Sequence, residues 1–142
     1  FLSCADADMG FITNEVLPKL EDEYGYRCCV HARNFLAGVW IAENIICAIR
    51  RSRKTVVILT QSFLASKWCQ YEFHMARMEE IYSRKDETVL FVLMYEDIDT
   101  STLSLEMLDC IKSETYAKYP ADENEVPYFW EGINRALRTT DA

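Results

Sequence analysis

Two acids, Asp6 and Asp8, follow a short apolar run, and carboxylates paired in this way can hold Mg²⁺. Phosphoryl acceptance at such a pair needs a further aspartate after the third strand. That strand closes Leu59-Thr60-Gln61 with no acid, so neither this chemistry nor a metal is expected. The two carboxylates read instead as favourable charges at a helix N-terminus. Glu72 lies one helical turn after Trp68 in Ser66-Lys67-Trp68-Cys69-Gln70-Tyr71-Glu72. A carboxyl group against an aromatic can have a raised pKa and serve acid–base or ribosyl chemistry. The alternative is a solvated or salt-bridged helical glutamate. His31 and His74 are isolated and read as structural. The six cysteines, at 4, 28, 29, 47, 69 and 110, show no C-x-x-C spacing, so a zinc site is not expected. A Gly-rich phosphate loop and a G-x-S-x-G elbow are both absent.

A different chemistry is offered by Arg33-Asn34-Phe35-Leu36-Ala37-Gly38-Val39-Trp40. A loop should be polar, yet this one carries Phe35, Leu36, Val39 and Trp40. Large apolar side chains beside an arginine have the composition of a binding hot spot. Gly38 permits a positive φ and hence a tight turn. Either the apolar residues present themselves to a partner, or Phe35 and Trp40 fold back onto the core.

The elements that must position these residues alternate in period. Phe1 to Cys4 reads as the end of a strand, expected to begin before residue 1 in a longer parent chain. Ile12, Val16, Leu17 and Leu20 share one helix face, which Pro18 should kink or restart. Tyr26 to His31 is strand-like, and Ala32 to Trp40 is a loop. Ile41 to Arg51 is a helix with Ile41, Ile45, Ile46 and Ile49 inward. Thr55 to Thr60 and Thr88 to Met94 are β-branched or apolar runs suited to strands buried on both faces. Ser66 to Ser83 is a long helix with Ser66 as N-cap and Trp68 as anchor. Tyr95 to Leu108 is acidic and irregular, with one turn of helix. Thr115 and Tyr116 mark a short last strand. Pro127 to Arg138 is a helix with proline in its first turn, clamped to the sheet by Tyr128, Phe129 and Trp130. Strands alternating with helices mean a mostly parallel sheet. Five such units make a flavodoxin-like, three-layer α/β domain, whose working edge lies outside the carboxyl ends of the strands.

The bulk numbers agree. A chain of 142 residues favours one domain and buries about 68–70% of its unfolded surface. A net charge of −8 argues against nucleic acid as main partner. The one dense basic run, Arg50-Arg51-Ser52-Arg53-Lys54, reads as a solvated helix end. Apolar runs are strand-length, far short of the ~20 residues of a membrane span, so this segment is not expected to insert in a bilayer. Cysteines within apolar runs fit a reducing, cytosolic setting.

Three separated segments resemble the Toll/interleukin-1 receptor (TIR) family. Phe1-Leu2-Ser3-Cys4-Ala5-Asp6-Ala7-Asp8 is similar to its first signature, Arg33 to Gly38 to its second, the BB loop, and Phe129-Trp130 to its third. Ile41 to Ile46, Ser52 to Thr55 and Trp68 to Glu72 look like receptor-type members, above all the tails of animal Toll-like receptors. The resemblance spans nearly the whole chain, 1–142. It implies a five-stranded parallel sheet and innate-immune signalling from the cytoplasmic face of a membrane receptor. It also implies contact with the TIR domains of receptors or adaptors, as homo-oligomers or filaments, with no cofactor. Mapped on this chain, Arg33 to Trp40 would be the contact element, with Phe35, Leu36 and Trp40 as anchors. Phe1, Ser3, Asp8, Trp68, Phe129 and Trp130 would be structural motif positions. Some relatives cleave NAD⁺ with a glutamate on the third helix, and Glu72 matches that position, so an NAD⁺ hydrolase is the alternative. Cys4, Asn34 and Ala37 depart from the usual tyrosine, aspartate and proline. Without that proline the loop should be looser, and binding should have to order it.

Overall fold

The runs Thr55–Leu59 and Leu90–Met94 are β-branched or apolar at nearly every position, and both form strands buried on both faces. They are β2 and β3 of a parallel sheet in the order β1-β2-β3-β4, with β1 at Leu2–Ser3 and β4 at Tyr116–Lys118. The computed structural model describes residues 1–84, 88–112 and 116–138. Thr115, expected in the last strand, lies outside them.

Side chains alternate across the sheet. Val57, Leu59 and Val92 pack with Ile45, Ile49, Phe73 and Ala76 on one face. Val56, Ile58 and Leu93 pack with Ile12, Val16, Trp130 and Ile133 on the other. Helices α3 (Ile41–Arg51) and α5 (Lys67–Met78) therefore cover one face. The helical stretch 6–23, with α1 (Met9–Phe11) inside it, and the last helix α7 (Val126–Arg138) cover the opposite one. The result is the expected three-layer α/β architecture.

Two departures from expectation concern strands and helices. The segment from Tyr26 to His31 contributes a single parallel bridge, Leu2 to Val30, so the described sheet has four strands rather than five. Beside that bridge the Leu2 amide donates to Cys29 O at 2.9 Å. A cavity of about 460 Å³ lies beside that segment, lined by Tyr26, Cys28 and Cys29 together with Phe1, Cys47 and Arg51. The region after β3 is more ordered than expected, with a 3₁₀ turn at Thr100–Thr102 and a two-turn helix α6 (Leu105–Lys112). Pro18 opens a second, wide-turned helical segment, Pro18–Glu23, as its missing N–H requires.

The remaining helices are α2 (His31–Asn34) and α4 (Gln61–Ala65), each at the carboxyl end of a paired segment. Ser66 caps α5 by accepting the Cys69 amide, and Thr60 caps α4 by accepting the Phe63 amide. α3 ends without glycine. Arg84 supplies the cap, its guanidinium donating to the carbonyls of Ile49, Arg50, Ser52 and Arg53 at 2.8–3.0 Å.

Candidate functional site

All strands run in one direction, so the residues that follow β1, Val30 and β2 meet at one edge. The loop after α2 sits at that edge, and its stem is tied down. Arg33 makes a bidentate pair with Glu21, at 2.8 and 2.9 Å, and also donates to Cys28 O. Asn34 Oδ1 accepts the Val30 amide at 2.9 Å, the bond an aspartate there would make. Phe35 stacks on Phe1, ring centroids 5.8 Å apart, and packs against the core. Gly38 turns the chain with φ of 81°.

Beyond Phe35 the apolar side chains point outward. Leu36 is 67% exposed, Trp40 78% and Ile41 48%, with Val39 exposed beside them. The two readings of this loop are thus divided: Phe35 folds inward, while Leu36, Val39 and Trp40 do not. Ile41, expected to face inward from α3, joins the outward tract because it occupies the first turn, before the helix meets the core. Asn44 holds the tract in position. Its Oδ1 accepts the Leu36 amide and its Nδ2 donates to Leu36 O, each at 3.1 Å. This residue was not singled out in the sequence. The available signal was an amide side chain in the first turn of a helix that follows a loop.

Beneath the loop stem lies a polar cluster. Glu72 is 4% exposed, and the Ser3 hydroxyl donates to its carboxylate. Burial pushes the Glu72 carboxyl up to about 7, against the opposing effects of the Ser3 bond and the His31 imidazole. His31 Nε2 lies 2.7 Å from Asp6 Oδ1. Thr60 donates its hydroxyl to Asp8 at 2.5 Å. The acids after β1 thus have specific partners, not only a helix terminus. Cys4 and Cys69 lie close by, and burial pushes their thiols up to about 12 and about 11, leaving them as packing groups.

The comparisons with known proteins accord with this geometry. The family profile described as TIR domain matches residues 3–132. The chain is a TIR domain. It is similar to Toll-like receptor 4 of Pinctada imbricata, 38% identical over 94% of this chain and 15% of that protein. It is also similar to Toll-like receptor 2 type-2 of Gallus gallus, 30% identical over 98% of this chain and 18% of that protein. The TIR domain thus spans less than a fifth of the length of these relatives. Among solved structures, the TIR domain of the Toll-related receptor TRR-2 from Hydra magnipapillata superposes with a TM-score of 0.77. That similarity covers 97% of this chain and 96% of that one at 22% identity. A TIR-STING receptor from C. gigas gives 0.69 at 23% identity, covering 94% of this chain and 38% of that one.

Within this TIR domain the motif positions separate by burial. Phe1, Ser3 and Trp130 are buried, and Phe129 packs edge-on between Tyr119 and Trp130. Trp68 does not act as the expected anchor. It is half exposed and packs edge-on against Tyr71, because it lies on the first turn of α5, at the solvent end. Tyr128 is likewise exposed and takes no part in the clamp. Glu72 is buried and, among the described residues, in no ion pair, which sets aside the alternative of a solvated or salt-bridged glutamate.

Proposed function

We propose that this TIR domain transmits an innate-immune signal by docking on other TIR domains, as the cytoplasmic part of a Toll-type receptor that recruits adaptors. The observation that carries the reading is the outward tract Leu36, Val39, Trp40 and Ile41 on a stem pinned by Glu21 and Asn44. Apolar side chains held outward expose area that a partner can bury, and a tryptophan at their centre suits a hot spot. The pinned stem lowers the ordering cost that an alanine at position 37 would otherwise bring. Docking of this kind needs no cofactor. A contact between unlike surfaces propagates into filaments when it does not close on itself.

The test is binding of the purified domain to the TIR domains of Toll-type receptors and adaptors, by interferometry. Truncating a hot-spot side chain costs about 2 kcal/mol, so Trp40→Ala should weaken binding roughly thirtyfold. Leu36→Ser should weaken it as well. Unchanged affinity in both variants would remove the loop from the interface.

A second reading is favoured by one observation, the buried Glu72 with its raised pKa beside His31 and Asp6. Such a carboxyl could take part in NAD⁺ cleavage. Against this, Ser3 already occupies the carboxylate, and little of Glu72 reaches solvent. Incubation of the domain with NAD⁺ at high protein concentration decides between the two. Nicotinamide release that is lost in Glu72→Ala would make the domain a hydrolase.

A further inference from the structure

The cavity beside Tyr26–Cys29 holds about 460 Å³, within the range of sites that enclose a small organic ligand. Its walls differ in character. Phe1, Leu2, Val56 and Leu137 are buried and form an apolar floor. Phe35 and Tyr26 add half-buried rings, and the Tyr26 hydroxyl donates away from the cavity to Asn134 Oδ1 at 2.7 Å. Arg27, Arg51 and Arg53 are exposed and stand at the rim, with Lys54 beside them. The chain carries a net charge of −8, yet among the described residues no aspartate or glutamate lines this cavity.

The cations come from three places in the sequence. Arg27 leads into the bridge at Val30, Arg51 ends α3, and Arg53 and Lys54 lie in the turn before β2. Arg53 donates to Leu137 O and Lys54 to Thr88 O. Among the described residues, Arg27 and Arg51 make no hydrogen bond or ion pair. Two neighbours that could oppose an anion are already engaged. Glu21 is taken by Arg33, and the carbonyl end of α3, the negative end of its dipole, is capped by Arg84. Glu43, the single acid between residues 27 and 54, lies about two helical turns before Arg51. Fields in water fade over about 8 Å, so the local cations, not the total charge, set the potential in the cavity.

We propose that this cavity binds a small aromatic phosphate monoester, its ring against Phe35 and Tyr26 and its phosphate on Arg27 and Arg51. A guanidinium fork pairs with two phosphate oxygens at once. A phosphate monoester carries a charge of about −1.5 to −2 at neutral pH, which matches two guanidiniums left without a partner among the described residues. The apolar floor takes the part of the ligand that leaves water. Leu36 and Asn44 line the same cavity, so the ligand sits behind the tether that holds the outward tract. The site stands whether or not that tract docks on a partner.

Calorimetric titration of the 142-residue chain with 1-naphthyl phosphate, 1-naphthol and inorganic phosphate tests the proposal. The ester should bind at a single site with a Kd of about 1 mM or below, as a fragment of its size can. Naphthol and phosphate alone should each bind about tenfold more weakly or not at all. The double change Arg27→Ala, Arg51→Ala should weaken the ester about tenfold, a figure that allows for the exposure of both side chains, and leave the circular dichroism unchanged. The matching lysine pair should fall between, because the charge stays and the fork goes. Bound ester should also slow alkylation of Cys47, a thiol exposed on the same wall, and exchange of the Leu36 amide. Absence of ester binding at about 1 mM overturns the proposal. So does affinity undiminished in the folded alanine variant, or bound ester that leaves both Cys47 and Leu36 unprotected. Inorganic phosphate or naphthol held as tightly as the ester overturns it too.

Discussion

Glu72→Gln should stabilise this domain at neutral pH and leave it unchanged in acid. In the folded protein the carboxyl is shielded from water and holds its proton up to about 7, against an ordinary value of 4.5. The unfolded chain releases that proton near the ordinary value. Because the folded pKa is raised, the stability contributed by the neutral acid is fully present below pH 4.5. It is lost as pH rises toward 7 and is constant above that. A gap of about 2.5 pKa units corresponds to about 3 kcal/mol. Glutamine has no proton to lose, and its Oε1 can still accept the Ser3 hydroxyl. The stability difference between variant and parent should therefore grow by about 3 kcal/mol between pH 4.5 and pH 7.5. For a domain of this size that is roughly 10 °C in melting temperature. Urea unfolding at several pH values gives the difference directly, and the other carboxylates cancel because both proteins carry them. A difference that stays flat across this range would show that Glu72 is not held neutral by burial, and the cluster under the loop would need another description.

Three further substitutions probe other contacts. Asn44→Ala removes both bonds to the Leu36 backbone, so the Leu36 amide should exchange its hydrogen at least tenfold faster, with about 1 kcal/mol of stability lost; unchanged exchange refutes the tether. Arg84→Ala deprives four carbonyls of their cap and leaves Glu79 without its cation, which should cost about 2–4 kcal/mol in urea unfolding, whereas a loss under 0.5 kcal/mol would mean that water replaces the guanidinium. Thr55→Val keeps the branched shape and deletes a hydroxyl that is fully buried and has no partner among the described residues, so unfolding should shift toward higher stability by about 1 kcal/mol. A destabilised Thr55→Val would reveal a bond to that hydroxyl.

How far the fold was legible depended on which interactions were local. Thr55–Leu59 and Leu90–Met94 announce buried strands because every side chain, on either face, must be apolar or β-branched. Ser66 and Gly38 announce a cap and a turn because both act within three residues. The segment from Tyr26 to His31 has strand composition, but strand pairing depends on a distant edge, and there Val30 makes a single bridge to Leu2. Trp68 misled because residue type favours burial while position on the first turn of α5 decides exposure. Glu72 could have been foreseen as buried, since Cys69, Phe73 and Ala76, its neighbours at three before, one after and four after, all face the core. The polar ties were not legible. Arg84 reaches back more than thirty residues and Glu21 forward twelve, and side-chain bonds to backbone carry no period.

The hold of Asn44 on position 36 has one more implication. It grips the amide and carbonyl of Leu36, groups common to every residue except proline, and ignores the side chain between them. The presented group can consequently be exchanged over evolution without unseating the turn that carries it. Partner choice at this spot is free to drift while the scaffold stays still, with proline alone forbidden.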